Sequence, residues 1–222
     1  MSTPRKRDPE GRRRAILAAA TAIVVERGSA ALTHRAVAAR AGVPLGSTTQ
    51  YFSSIDDLRE NALQALADEI DEGLAQIEPL VARIEADPGP VIDEMLGYLR
   101  DERTVHADIA LMTAGTNDER LRALALRWPE RLIDMLAPHL GRERATAITV
   151  YLDGATIQSG LTGRPPSREQ LTRVVAALAS MPAPDAPPNS GIANASSGIA
   201  NTSPGIANAN RPNTTTTNPE RA

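Results

Sequence analysis

Residues 33–58 read THRAVAARAGVPLGSTTQYFSSIDDL, two short helical segments forced apart by one tight turn. Thr33 can cap a helix start, and Gly42 can take the left-handed conformation that ends it. Val37, Ala38 and Ala41 give that helix its buried face. The next segment centres on Gly46, Ser47, Thr48, Thr49 and Gln50. All but Gln are poor helix formers, each roughly 0.5–1 kcal/mol worse than Ala. Ser53 or Ser54 then starts a new helix, with Asp56 and Asp57 in its first turn, where the helix dipole favours acids. The middle segment is therefore a loop, or a short helix that only tertiary packing can hold.

At 100° per residue, a helix from Leu45 to Phe52 puts Thr48 and Phe52 on one side, with Leu45 near them. Gly46, Ser47, Thr49 and Gln50 fall on the other. Phe52 is the single Phe of the chain and the natural anchor into a small core. A solvated face usually carries Lys and Glu, whereas this one is small, polar and uncharged. Entry into the major groove asks for small groups, hydroxyls for phosphates and an amide for adenine. With the Ala41-Gly42-Val43 turn, the pair reads as a helix-turn-helix. The spacing alone is equally that of a helical hairpin in a bundle.

Charge is divided unevenly. Residues 1–60 carry a net +4 and the remainder −7. A basic head on an acidic body suits a polyanionic partner for the head. There is no cysteine, which excludes disulfides and thiolate metal sites and fits the cytoplasm. No run of 18 apolar residues is present, and the basic N-terminus lacks the apolar region of a signal peptide, so no membrane partner is expected.

Helical spacing continues along the chain, and strand signals are weak. Ile16, Leu17, Ala20, Ile23 and Val24 define the first helix, stopped at Gly28. IDDLRENALQALADEIDEGLAQI is long and amphipathic. Pro79 and DPGP (87–90) punctuate further helices, and about nine are expected in all. From residue 182 the composition collapses into SGIANAS-type repeats and RPNTTTTNPERA, with too little apolar surface to offset ordering entropy. Residues 182–222 are expected to be a disordered, low-complexity tail.

Of the three histidines, His106 stands i,i+4 from Glu102, a spacing that can bind metal but lacks a third ligand. It reads as a surface pair. No Ser-His-Asp set assembles. Neither an enzyme nor a cofactor site is expected; the alternatives to a DNA-binding protein are a helical scaffold and, more remotely, an enzyme.

The segment LTHRAVAARAGVPLGSTTQYFSSIDDL resembles the DNA-binding domain of TetR-type transcriptional regulators. It shares the Thr-capped second helix, Ala-Gly-Val at the turn, Gly-Ser in the third helix, the aromatic pair ending it and the acidic-Leu opening of the fourth. YLDGATIQSGLTGRPPSREQLTRVVAALA resembles, more weakly, the last two helices of the family's regulatory domain. The resemblance implies an all-α homodimer with a helix-turn-helix domain (1–53) and a helical ligand-binding and dimerisation domain (54–181). It implies a repressor that binds a palindromic operator, an inverted repeat of double-stranded DNA, and is released by a small molecule. By position, DNA contacts fall to Thr33, His34, Arg35, Leu45, Gly46, Ser47, Thr49 and Tyr51; helix geometry adds Gln50. Thr49 stands where the family commonly has an aromatic, and Ile55 where it commonly has a basic residue. Arg5, Lys6, Arg7 and Arg12–Arg14 are candidates to replace the lost phosphate contact.

For the ligand pocket, Met95, Tyr98, Leu99, Met112, Trp128, Met135 and Tyr151 are the large or soft side chains of the second domain, with Gln158 as a polar group. Plain core is the competing role for each. Dimerisation is expected through helices 142–162 and 168–181. Ala145, Ile148, Leu152, Ala155 and Ile157, extended by Val174, Val175 and Leu178, would form half of a four-helix bundle.

Overall fold

The computed structural model describes residues 8–182. The arm residues Arg5, Lys6 and Arg7 and nearly all of the expected tail lie outside the described residues. Among those described there are nine α-helices, one 3-10 turn and no strand. The helices are α1 (Pro9–Arg27), α2 (His34–Ala41), α3 (Leu45–Tyr51), α4 (Ile55–Val81), α5 (Gly89–Arg100), α6 (Glu102–Asn117), α7 (Glu119–Leu140), α8 (Arg142–Thr162) and α9 (Arg168–Ala179); the 3-10 turn is Ser29–Ala31. None is long and apolar enough to cross a membrane.

Most helix starts carry a side-chain cap, each satisfying an otherwise orphaned backbone N–H. Asp8, Thr33, Ser54, Asp101, Asp118 and Ser167 accept from the first turns of α1, α2, α4, α6, α7 and α9. The sequence expected Pro79 to end a helix, but α4 runs through it to Val81. Pro79 sits in the last turn, so the Ala75 carbonyl loses its intrahelical donor and the helix stops two residues later.

Helices α1, α2, α3 and the start of α4 form the head. Ile16, Ala20, Ile23 and Val24 of α1 join Val37 of α2, Phe52 and Leu58 and Leu63 of α4 in one apolar core. The same core continues along α4 through Leu66, Ile70 and Leu74 into α5–α9. At 1.5 Å per residue, α4 is about 40 Å long. It is shared by the head and the body rather than lying on one side of a boundary.

Ion pairs register α4 against its neighbours. Arg103 of α6 reaches Glu69 at 2.6 Å, and Arg127 of α7 reaches Asp68 at 2.7 Å as well as Asp71. These pairs are largely solvent-exposed, so each contributes at most about 1 kcal/mol and serves alignment more than stability. Elsewhere close approach sets the packing. A Cβ on Gly160 of α8 would stand 2.5 Å from Ile109 Cδ1 of α6, so any larger residue there requires the Ile109 side chain to shift.

Candidate nucleic-acid interface and ligand cavity

The turn forms as the sequence requires. Gly42 is left-handed (φ 64°, ψ 33°), and the N–H of Val43 donates to the Ala38 carbonyl at 3.1 Å. Thr33 Oγ1 accepts from the N–H of Ala36 at 3.1 Å. A second bond locks α2 to α3. His34 Nδ1 lies 3.1 Å from Thr48 Oγ1, while the Thr48 hydroxyl donates to the Leu45 carbonyl at 2.8 Å. With the hydroxyl proton so used, Nδ1 is the donor to Thr48, and Nε2 is left for an outside partner. Arg40 is engaged at the surface with Glu26 of α1, through both terminal guanidinium nitrogens at 2.6 and 2.5 Å.

The α3 face differs from the sequence expectation. Leu45 is exposed, at 54%, while Ser47 is buried, at 7%. Exposed with Leu45 are Gly46, Thr49 and Gln50; Thr48 is buried and Tyr51 half-buried. The cause is Phe52. The sequence reading used it to set the helical phase, but the helix ends at Tyr51 and Phe52 is extended (φ −132°, ψ 121°). Its side chain therefore does not follow the 100° step, and the true outer face is rotated toward Leu45 and away from Ser47. A Cβ on Gly46 would meet no atom of the chain within 4 Å. Glycine here costs the helix about 1 kcal/mol relative to Ala with no internal packing reason.

In the body, a cavity of about 260 Å³ opens between α4, α5, α6 and α7, with Leu152 of α8 also on its wall. Its walls include Ile70, Gly73, Leu74 and Ile77 of α4, Met95 and Tyr98 of α5, Ala107 of α6, and Trp128 and Leu132 of α7. Tyr98 and Trp128 stack with ring centroids 5.5 Å apart and planes at 15°. Of the expected pocket residues, the structure brings Met95, Tyr98 and Trp128 together here. Leu99 instead is core and faces a smaller cavity beside Arg100 and His106. Met135 lines a groove with Ala82 and His139, and Tyr151 and Gln158 line another with Pro165 and Pro166. Met112 is half-buried and lines none of these cavities. Residue size alone carries no information about which face of a helix turns to the cavity. The α4 contribution was missed, although Ile70, Gly73, Leu74 and Ile77 recur at helical spacing. Among the described residues no group of three or more His, Asp or Glu could hold a metal.

Behind the aromatic stack lies Asp108 of α6, 2% exposed. Its Oδ2 accepts the Tyr98 hydroxyl proton at 2.7 Å. Burial raises its pKa to about 6, opposed by the Tyr98 hydrogen bond and reinforced by Asp153. Burial likewise raises Asp153 to about 6, and burial together with the Asp108 carboxylate pushes the Tyr98 phenol well above its usual range. A raised carboxyl pKa means that the folded state holds the proton more tightly than the unfolded chain. Stability from this group is then highest below the unfolded value near 3.8 and falls as pH rises to about 6. Asp108→Asn removes that loss. Its stability relative to wild type should climb between pH 4 and 7, by an amount on the order of 1–3 kcal/mol. A difference independent of pH in parallel thermal melts would contradict this.

Residues 16–62 match the family model described as bacterial regulatory proteins, tetR family. Among solved structures, a TetR-family member (SCO1917) from Streptomyces coelicolor A3 is 34% identical, with a TM-score of 0.67, over 75% of this chain and 97% of its own. The multidrug binding protein EbrR is similar in two complexes. With ethidium it is 36% identical (TM-score 0.65, covering 78% and 99%), and with malachite green 31% identical (TM-score 0.65, covering 75% and 97%). No curated protein sequence matches the chain. An exposed helix-turn-helix joined by one long helix to a hollow all-α body defines a transcriptional-regulator fold. The chain belongs to the tetR family of bacterial regulatory proteins.

Proposed function

We propose that this chain is a ligand-responsive repressor that binds an inverted-repeat operator as a homodimer and leaves it when a small aromatic molecule fills the body cavity. Residues 1–53 form the DNA-reading unit and 54–181 the sensing and dimerisation unit. The observation that carries the reading is the outer face of α3. Leu45, Gly46, Thr49 and Gln50 stand free there, and Gly46 opens space that nothing in the chain uses. Thr33, His34 and Arg35 at the start of α2 and Tyr51 at the end of α3 flank that face for phosphate contact. Ser47, buried, supports it from within through its place in the packing. Coupling runs along α4, which lines the cavity with Ile70, Leu74 and Ile77 and anchors the head with Leu58 and Leu63. The aromatic dyes bound by EbrR support an aromatic effector for the Tyr98–Trp128 wall. Acting on DNA, the protein works in the cytoplasm and as a binder rather than an enzyme.

Selection from random double-stranded DNA tests this. Wild type should enrich one inverted repeat. Gln50→Ala should relax one base pair in each half-site, by about 1–3 kcal/mol, and leave the salt slope unchanged. Thr33→Ala and Tyr51→Ala should weaken all DNA alike, because backbone contacts position without specifying. Failure to enrich any sequence overturns the reading.

A further inference from the structure

The cavity wall conceals a carboxylate without a cation. Asp108 makes no ion pair among the described residues; its partner is the neutral phenol of Tyr98. A second carboxylate, half-buried Asp153 of α8, leaves its buried Oδ1 with no hydrogen-bond partner. Asp108 is not itself on the cavity wall; Tyr98, which lines the cavity, holds it through the hydroxyl hydrogen bond. Of the charged residues on the cavity wall, Glu69, Glu94 and Asp101 are acids, and the one base, Arg103, is held by Glu69 at 2.6 Å.

An uncompensated anion in a poorly solvated site is unfavourable, and a nearby cation relieves it. A phenol that donates to a carboxylate also becomes electron-rich, since hydrogen bonds in series polarise one another. Its ring face then attracts a cation more strongly. We propose that Asp108, acting through Tyr98, makes this cavity select aromatic monocations over uncharged aromatics of the same shape. Asp108 is a positioning residue that does not touch the ligand. The inference rests on the cavity being the effector site, as proposed above.

Protonation supplies the test. The titratable groups that bear on Asp108 are the Tyr98 phenol from α5 and Asp153 from α8; the cavity wall itself adds Glu94, Asp101 and Glu69, the last paired with Arg103. Asp108 takes up a proton at about pH 6. Below that pH its attraction for a cation is lost, and above it the attraction is complete. A ligand whose positive charge is fixed should bind more tightly as pH rises, and a neutral one should not respond.

Fluorescence titrations of the full chain with ethidium, a fixed cation, and acridone, an uncharged tricycle, at pH 5.0–7.5 decide the matter. Ethidium affinity should rise about tenfold over this range, the scale of a desolvated cation–π contact, while acridone affinity stays constant. Asp108→Asn keeps an acceptor for Tyr98 but no charge, and should flatten the ethidium profile at its low-pH level. Tyr98→Phe keeps the stack and breaks the link, and should lose the ethidium preference while holding acridone. If Asp108→Asn fails to fold, Tyr98→Phe decides alone. Equal, pH-independent binding of both dyes leaves the cavity reading standing and overturns the selection for charge, as does a pH rise that survives in Asp108→Asn. Failure of both dyes to bind overturns the cavity reading and this inference with it.

Discussion

Phe52→Ala should destabilise the head by about 3–5 kcal/mol and abolish operator binding. Phe52 is the one Phe of the chain and 1% exposed. It leaves α3 with an extended backbone, so that its ring enters the core shared by Ile16, Val37 and Leu58. Arg13 of α1 lies over the ring, 5.5 Å from its centroid. Alanine would leave a cavity where α1, α3 and α4 converge and would remove a contact worth about 0.5–1 kcal/mol at a partly exposed site. Domains have only about 5–15 kcal/mol of net stability, and a head this small lies near the lower end. Helix α3 is short and built of poor helix formers, so apart from the His34–Thr48 bond it depends on tertiary packing to hold it. Circular dichroism melts should show the head loosening at lower temperature while the body persists. Phe52→Leu, which fills most of the volume, should retain DNA binding. Wild-type melting and DNA affinity in Phe52→Ala would refute the assignment.

Local chemistry was legible in the sequence wherever one residue type answers one backbone need. Thr33 and Ser54 as caps, Gly42 at the turn and Gly28 as a stop stand where their chemistry places them. The all-α class and the helix number come from the same signals. Facing was less legible. Ser47 and Leu45 exchanged sides because Phe52, taken as part of the helix, lies beyond its end. Leu99, Met112, Met135, Tyr151 and Gln158 of the expected pocket set lie away from the Tyr98–Trp128 cavity, because cavity lining is a property of several helices at once. Asp108 gave no periodic signal at all. It is one acid on a helix that also carries Glu102, and only its burial under Tyr98 separates the two.

Facing matters most on α8, where it sets the final expectation. The sequence placed Ala145, Ile148 and Leu152 on a dimer surface, yet all three are buried within one chain, at 0%, 0% and 3%. They lie on the inner face of α8, packed with Leu171 and Val175 of α9 in the common core. Helix α8 is apolar or small on both sides, so periodicity does not distinguish inside from outside. Its outer side carries Val150, Ile157 and Leu161, exposed at 62%, 44% and 78%. With Gly154 between them, these positions fall within about 60° of one another on the helix and run along it for about 16 Å. They make up three of the five large exposed hydrophobics among the described residues; the others, Leu45 and Leu126, stand singly on α3 and α7. A second copy of α8 is the occupant that a homodimer supplies, and two-fold symmetry sets each stripe against its mate. Val150→Glu with Leu161→Glu would then place four carboxylates in one interface. The double variant should run as a monomer in size-exclusion chromatography with light scattering. Its operator affinity should fall by roughly 10²–10⁴, the gain that linking two half-site readers provides. The dye binding proposed above for the cavity of a single chain should survive and show that the fold is intact. A variant that remains dimeric would move the interface off this face of α8.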